Sequence, residues 1–265
     1  MNNRPIGIFD SGLGGLTVLK ALKKALPNEM FIYLGDTARV PYGDKSKEKI
    51  NQYSIQISKW LINQNCKMII VACNTASSIS LEILKSKFSI PIIGVINPGV
   101  KQAIDFSKNF NIGILGTNAT IKSDEYGKQL TALNPNTNVK SISCPLFVPL
   151  VEEGLVSGKV TRMIVELYIK KFELFKYDTL ILGCTHYPLL KKTIQKVVGK
   201  NVSLIDSSQA IAHEVKLFLF QNNLNTDIIS GTFQCFVTDE PNNFNKLAEK
   251  ILEIKLIETT YIEFS

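Results

Sequence analysis

The feature that most constrains this 265-residue chain is a strand–helix pattern that occurs twice. Ile6-Gly7-Ile8-Phe9 matches Ile112-Gly113-Ile114-Leu115, which lies 106 positions later. The apolar segment ending at Cys73 matches the one ending at Cys184, 111 positions later. This near-constant spacing is far longer than the ~20–50-residue period of stacking repeats. It predicts a duplicated domain rather than a solenoid.

Within each copy, short apolar strands alternate with amphipathic helices. In the first copy we expect strands at residues 6–9, 31–34, 68–72 and 90–96, and helices at residues 16–26 and 46–63. Ser46 is the expected N-cap of the longer helix. This alternation predicts an α/β fold, with two pseudo-symmetric domains whose mostly parallel sheets are flanked by helices.

About sixty residues remain after the two copies. Residues 210–220 and 244–251 have helical patterns, and residues 231–237 alternate like a strand. We expect this tail to pack on the first domain, which gives domain boundaries of 1–97 plus 207–265 and 98–206. Asn97-Pro98-Gly99 and Asp206-Ser207-Ser208 have turn-forming composition and are the expected crossing points.

The net charge of +7 does not indicate a dedicated nucleic-acid-binding protein. The only arginines are Arg4, Arg39 and Arg162, and the lysines are scattered without interleaved aromatic residues. No apolar run approaches the ~20 residues of a membrane helix, and the N-terminal region lacks a signal-peptide pattern. We therefore expect a cytoplasmic protein without a membrane partner.

The five cysteines predict neither a disulfide framework nor a structural zinc site. Their number is odd, and no Cys-x-x-Cys pair occurs. Cys66, Cys144 and Cys235 have no polar motif beside them, so we expect small buried core residues. We also see no motif for pyridoxal phosphate or another cofactor.

Cys73 and Cys184 differ from the other cysteines because polar residues follow each of them. The sequences are Cys73-Asn74-Thr75 and Cys184-Thr185-His186. The carboxyl ends of strands are where open α/β sheets place their chemistry. We expect a helix to start after each cysteine and to lower the thiol pKa, and His186 can share the thiol proton. Two thiols on opposite walls of a cleft can take a proton from one face of a carbon and return one to the other.

Three loops are further candidates for ligand contact. Asp10 to Gly15 lies between a strand and a helix and suits a small carboxylate better than a nucleotide, because its glycine spacing departs from the dinucleotide fingerprint. In the loop from Arg39 to Gly43, Tyr42 can close over a ligand. The segment from Leu150 to Gly154 is expected to place two acids near the start of a helix.

Two other functional classes fit some of these residues. Cysteine-dependent hydrolysis would use a Cys, an Asp and a His, but it leaves the second matched thiol without a role. An amino-acid-binding module that closes over its ligand needs no acid or base. Both alternatives explain the paired cysteines less well than proton transfer on two faces does.

Five motifs together resemble the glutamate racemases of the aspartate/glutamate racemase superfamily. They are Phe9 to Gly15, Pro41 to Gly43, Ala72 to Ser77, Leu150 to Glu152 and Gly183 to Leu189, in family order and spacing across essentially the full chain. One departure is Ser208, where the family more usually has glycine.

This resemblance implies a cofactor-independent racemase with its active site in the cleft between two domains. It implies that L- and D-glutamate are interconverted and that D-glutamate is supplied for peptidoglycan. The runner-up substrate is aspartate, or acidic amino acids in general. The resemblance also implies a homodimer.

The same resemblance assigns roles to individual residues. Cys73 and Cys184 would be the two acid/base residues, assisted by Asp10 and His186 respectively. The substrate's amino and carboxylate groups would be held by Asp10, Ser11, Tyr42, Gly43, Asn74, Thr75, Thr185 and His186. Glu152 is a further candidate site residue.

Overall fold

The computed structural model describes residues 1–254 and 258–264, with only the backbone of Asn243. Its strands are β1 (Ile6–Asp10), β2 (Phe31–Gly35), β3 (Met68–Val71), β4 (Ile92–Gly94), β5 (Asn111–Gly116), β6 (Asn138–Ser143), β7 (Thr179–Gly183), β8 (Ser203–Asp206), β9 (Phe233–Val237) and β10 (Thr259–Tyr261). The central strands β1, β3 and β7 are buried along their whole length, as expected for parallel sheets covered on both faces.

The strands form two sheets in which neighbouring strands are parallel. The first sheet has the order β10-β9-β2-β1-β3-β4, and the second has the order β6-β5-β7-β8. The order β2-β1-β3-β4 therefore recurs as β6-β5-β7-β8, with β1 equivalent to β5 and β3 equivalent to β7. The predicted α/β fold with two related parallel sheets is confirmed.

The helices lie between the strands and cover both sheets. They are α1 (Leu16–Ala25), α2 (Lys47–Asn63), α3 (Asn74–Lys87), α4 (Ile96–Phe106), α5 (Asn118–Ser123), α6 (Glu125–Leu133), α7 (Phe147–Glu152), α8 (Lys159–Ile169), α9 (Lys191–Val198), α10 (Ser207–Gln221) and α11 (Pro241–Leu252). Ser46 caps α2 as predicted, because its hydroxyl accepts a hydrogen bond from the Lys49 N–H at 3.3 Å. Within the described ranges, no helix is long and apolar enough to cross a membrane.

The predicted crossing points lie in helices or directly before one, rather than in turns. Asn97, Pro98 and Gly99 are in the first turn of α4, where a proline is tolerated because the first N–H groups of a helix have no partner inside it. At the other crossing point, Asp206 caps α10 by accepting from the Ser208 N–H at 2.9 Å.

The tail after the second copy extends the first sheet. Strand β9 pairs with β2, with Phe233 opposite Phe31, and β10 pairs with β9. Strands from residues 6–94 and 233–261 thus share one sheet, and strands from residues 111–206 form the other. The exact domain boundaries of 1–97 plus 207–265 and 98–206 stay a prediction.

Candidate active site

The carboxyl ends of both sheets contribute to one small cavity. Its lining residues are Ser11, Val40, Pro41, Tyr42, Gly43, Cys73, Asn74, Thr75, Thr117, Val148, Cys184, Thr185 and His186. The cavity measures about 20 Å³, which is room for about one water molecule. Both matched thiols therefore line the same space, and a larger ligand requires its walls to separate.

Cys73 lies two residues after the end of β3 and is the N-cap of α3. Its Sγ accepts from the Ala76 N–H at 3.5 Å and donates to Ser11 Oγ at 3.7 Å. The predicted helix start is confirmed, but the expected lowering of the thiol pKa is wrong. Burial raises the pKa of Cys73 to about 12, and the nearby charge of Asp10 raises it further, which outweighs the two hydrogen bonds. Cys73 is therefore a thiol at neutral pH.

Cys184 lies directly after β7, with its Sγ 3.8 Å from Nδ1 of His186. The helix predicted to start here is replaced by a 3-10 turn over Tyr187–Leu190, and α9 begins only at Lys191. The reason is Pro188, which has no N–H to donate to the Cys184 carbonyl. That carbonyl accepts instead from the Tyr187 N–H at 3.1 Å.

His186 is buried between Cys184 and Glu152. Its Nε2 lies 3.3 Å from Oε1 of Glu152. Burial lowers the pKa of His186, but hydrogen bonds to Cys184 and Glu152 and the negative charges of Cys184 and Asp10 outweigh burial and raise the pKa to about 10. His186 is therefore an imidazolium at neutral pH, which is a neighbour that stabilises a thiolate.

Glu152 lies at the end of a helix, not near the start of one as predicted. It is the last residue of α7, and Gly154 follows with φ of +73°. A glycine with positive φ just after a helix is a common C-terminal signal, and Gly154 in the sequence is consistent with this helix end. The structure nevertheless brings Glu152 to the site through His186.

Asp10 connects the two walls of the cavity. One carboxylate oxygen accepts from the Gly12 N–H at 3.0 Å, and the other accepts from the Thr185 hydroxyl at 3.1 Å. Asp10 is completely buried, and this burial raises its pKa, although the positive charge of His186 and the hydrogen bonds oppose the effect.

The glycine-rich loop allows the two walls to approach closely. A Cβ atom on Gly14 would lie 2.5 Å from both His186 Nδ1 and Thr185 Oγ1. A side chain at this position would thus displace His186 or the loop itself. Whether the loop also binds an anion stays a prediction.

Tyr42 and Gly43 form a third part of the wall. Tyr42 lines the cavity, and its hydroxyl donates to Oδ2 of Asp36 at 2.5 Å. A Cβ atom on Gly43 would lie 2.7 Å from Cβ of Thr117, which also lines the cavity. Thr117 is not among the site residues predicted from the sequence, although it lies 106 positions after Ser11 and the duplication points to it.

Neutral hydrogen-bonding groups fill the remaining wall. The hydroxyls of Thr75 and Thr117 lie 2.9 Å apart, and the Tyr126 hydroxyl donates to Oδ1 of Asn74 at 2.6 Å. Nδ2 of Asn74 is buried without a hydrogen-bond partner among the described residues. A buried donor without a partner is costly, so this amide suits an acceptor such as a carboxylate.

The structure thus brings together every site residue predicted from the sequence. Twelve of the thirteen lining residues are uncharged or thiol side chains, and His186 is the exception. Within residues 1–254 and 258–264, no cluster of three or more His, Cys, Asp or Glu side chains is placed to bind a metal. The arrangement offers two thiols, each with its own polar surroundings, and donors for an anionic ligand.

Comparisons with known proteins agree on one family. A family model described as Asp/Glu/hydantoin racemase matches residues 6–215. A glutamate racemase of Aquifex aeolicus is 49% identical over 247 residues, which cover 93% of each chain. The crystal structure of a glutamate racemase isoform, RacE1 from Bacillus anthracis, superposes with a TM-score of 0.97 at 35% identity, covering 100% of this chain and 99% of that chain. The crystal structure of a Francisella tularensis glutamate racemase in complex with D-glutamate superposes with a TM-score of 0.93 at 40% identity. The match covers 99% of this chain and 98% of that chain.

Proposed function

The chain belongs to the Asp/Glu/hydantoin racemase family, and on that premise we propose that it interconverts L- and D-glutamate without a cofactor. The observation that carries the proposal is the pair of thiols, Cys73 and Cys184, which line one cavity from equivalent strands of a duplicated fold. Glutamate rather than aspartate is favoured because the similar relatives described above are named glutamate racemases.

In the proposed mechanism, one thiolate removes the α-proton while the opposite thiol supplies a proton to the other face. By the family resemblance, Cys184 faces the α-proton of L-glutamate and Cys73 faces that of D-glutamate. In the L-to-D direction, Cys184 accepts the proton of L-glutamate and Cys73 gives up its own. The turnover leaves Cys184 as a thiol and Cys73 as a thiolate, which is the state required for the reverse direction.

Asp10 and His186 are proposed to assist proton transfer to and from the two sulfurs. An imidazolium at His186 stabilises a thiolate at Cys184 and can donate a proton to that sulfur in a later step. Glu152 contacts the other nitrogen of the same ring and orients it. On the opposite wall, Asp10 has a raised pKa and acts electrostatically on Cys73. Asp10 is thus suited to take up a proton when Cys73 must become a thiolate.

The α-proton of an amino acid is only weakly acidic, so the developing negative charge must be stabilised. Hydrogen bonds that strengthen as charge builds on the carboxylate would lower the barrier. The unpaired amide of Asn74 and the hydroxyls of Ser11, Thr75 and Thr185 are the proposed donors, with Tyr42 and Gly43 fixing the substrate's position.

A panel of purified L-amino acids, each incubated with the protein and without added cofactor, tests this proposal. We expect D-product and loss of optical rotation from L-glutamate, and little from L-aspartate. Faster racemisation of aspartate would identify the alternative substrate. Binding of glutamate without any D-product would identify a binding module instead.

We also propose that the product D-glutamate is used for peptidoglycan in the cytoplasm and that the protein is a homodimer. An exposed apolar stripe of Val160, Met163 and Leu167 on α8 supports the dimer. Arg162 and Glu166 lie beside this stripe, so antiparallel pairing of two copies of α8 would match opposite charges. Measurement of the molecular mass in solution tests the dimer. Growth rescue by added D-glutamate, in a bacterial strain depleted of this protein, tests the role in the cell wall.

A further inference from the structure

We propose that the C-terminal end of the chain supports the substrate-binding loop, with Phe264 as a positioning residue that acts through Arg39, Asp36 and Tyr42. This inference rests on the proposed function, because Tyr42 and Gly43 are the loop residues that would contact glutamate. None of the sequence motifs described above includes Phe264.

The first step connects the cavity to Asp36. Asp36 directly follows β2, and its side chain is completely buried. The backbone N–H of Asp36 donates to the Asp10 carbonyl at 3.0 Å. The carboxylate accepts hydrogen bonds from the Tyr42 hydroxyl, from Arg39 Nε at 2.9 Å and from the Thr238 hydroxyl at 2.9 Å. A carboxylate that accepts three donors holds the ends of the loop in one geometry.

The second step connects Asp36 to two aromatic rings through Arg39. The guanidinium carbon lies 4.3 Å from the ring centroid of Tyr53 and 5.0 Å from that of Phe264. Nη1 donates to Oε1 of Gln56 at 2.8 Å, whereas Nη2 is buried without a hydrogen-bond partner among the described residues. The faces of the two rings contact this cation in addition to its ion pair with Asp36 and its hydrogen bond to Gln56.

The third step is how the end of the chain reaches this position. Strand β10 pairs with β9, and the Ile262 N–H donates to the Val237 carbonyl at 2.8 Å beyond the end of β10. This bond directs the last described residues toward the loop. Phe264 packs against the same apolar cluster that contains Tyr42 and Cys73.

The loop itself has little regular structure to hold it. Residues 37–39 and 42–44 form two short 3-10 turns, joined by Val40 and Pro41. Its position therefore depends on side-chain contacts such as the Tyr42–Asp36–Arg39 chain. Loosening these contacts should weaken binding of both enantiomers equally, because the loop contacts the substrate and not the proton being transferred.

The test compares Phe264→Ala, Phe264→Leu and Phe264→Tyr with the wild type, using Phe220→Ala as the control. Phe220 is 74% exposed on α10 and lies outside the cavity lining. We expect Phe264→Ala to raise KM for both L- and D-glutamate about three- to tenfold, which corresponds to the loss of one cation–π contact. Phe264→Tyr should keep the wild-type KM, and Phe264→Leu should resemble Phe264→Ala because it lacks a ring.

A second measurement follows the loop directly. Amide hydrogen exchange over residues 36–43 should be faster in Phe264→Ala and in Arg39→Lys, which lacks the planar group, but unchanged in Phe220→Ala. Wild-type KM together with unchanged exchange in Phe264→Ala would overturn the inference. Absence of racemisation by the wild type would instead overturn the proposed function, while the exchange experiment would still decide whether Phe264 holds the loop.

Discussion

The two thiols are chemically alike but have different surroundings. Cys73 is buried, with a hydroxyl and one backbone N–H as partners, and its pKa is raised to about 12. Cys184 lies beside an imidazolium. In the mechanism proposed above, Cys73 is the proton donor and Cys184 is the proton acceptor in the L-to-D direction.

Replacing either matched cysteine should nearly abolish racemisation. Each turnover needs both an acid and a base, so we expect Cys73→Ala and Cys184→Ala each to lower kcat by about ten-thousand-fold, or ~5.5 kcal/mol of transition-state stabilisation. Cys66, Cys144 and Cys235 are equally buried and serve as matched controls. Their alanine variants should keep the wild-type rate per folded molecule, measured as D-glutamate formed. Near-normal activity of folded Cys73→Ala would rule out the two-thiol mechanism.

His186 should make stability depend on pH. Its pKa rises from an ordinary value of 6.5 to about 10 on folding, so between these pH values the folded state holds a proton that the unfolded state has lost. The contribution of His186 to the free energy of unfolding is thus complete below pH 6.5 and declines as pH rises toward 10. Urea unfolding of wild type and His186→Asn at pH 6, 8 and 10 measures this. A wild-type advantage that does not decline with pH would contradict the assignment.

The site residues that the sequence revealed are those next to strand ends. Cys73, Cys184 and Asp10 each follow or end an apolar strand, and the carboxyl ends of parallel strands meet at one edge. The pKa values of the site residues are less predictable from the sequence. The raised pKa of Cys73 depends on burial and on Asp10, which come together only in the folded chain.

At the scale of elements, the end of the first sheet opposite the cavity is held by a buried ion pair. Nζ of Lys67, just before β3, lies 2.6 Å from Oε2 of Glu29, just before β2. The same ammonium donates to the carbonyls of Asn2 and Leu224 at 2.8 Å. The pair thereby connects the N-terminal segment, two central strands and the segment after α10.

Lys67→Met should therefore destabilise the fold strongly. It leaves Glu29 buried without its cation, which typically costs about 3–5 kcal/mol. Lys20→Met is the matched control, because the Lys20–Glu253 pair is exposed and water screens it. Chemical unfolding at neutral pH should show a large loss for Lys67→Met and almost none for Lys20→Met. Equal losses in the two variants would contradict this account.

Most elements of the first domain are predictable because their apolar periodicity is strong. The wrong predictions involve proline and glycine, which occur both in turns and in the first turn of helices. Pro98 and Gly99 suggested a turn but lie in the first turn of α4, and Pro188 delayed the helix expected after Cys184. In both cases the outcome depends on which backbone N–H groups need a partner.

At the scale of the whole molecule, the duplication explains why the cavity has two similar walls. A cysteine follows each of the equivalent strands β3 and β7 within two residues, and the two sheets meet at these ends. Contacts between the walls, such as Thr185 with Asp10 and Thr117 with Gly43, close the cavity around about one water. A ligand as large as glutamate therefore requires the walls to move apart.

The central claim is that separate thiols act on opposite faces of one carbon, and solvent deuterium tests it most directly. The wild type is incubated with L-glutamate in deuterated water, and both enantiomers are recovered at low conversion. We predict deuterium at Cα of the D-glutamate formed, while the remaining L-glutamate stays mostly protiated, because the acid that completes inversion carries a solvent-derived proton. Equal early labelling of both enantiomers would indicate one shared base and contradict the account.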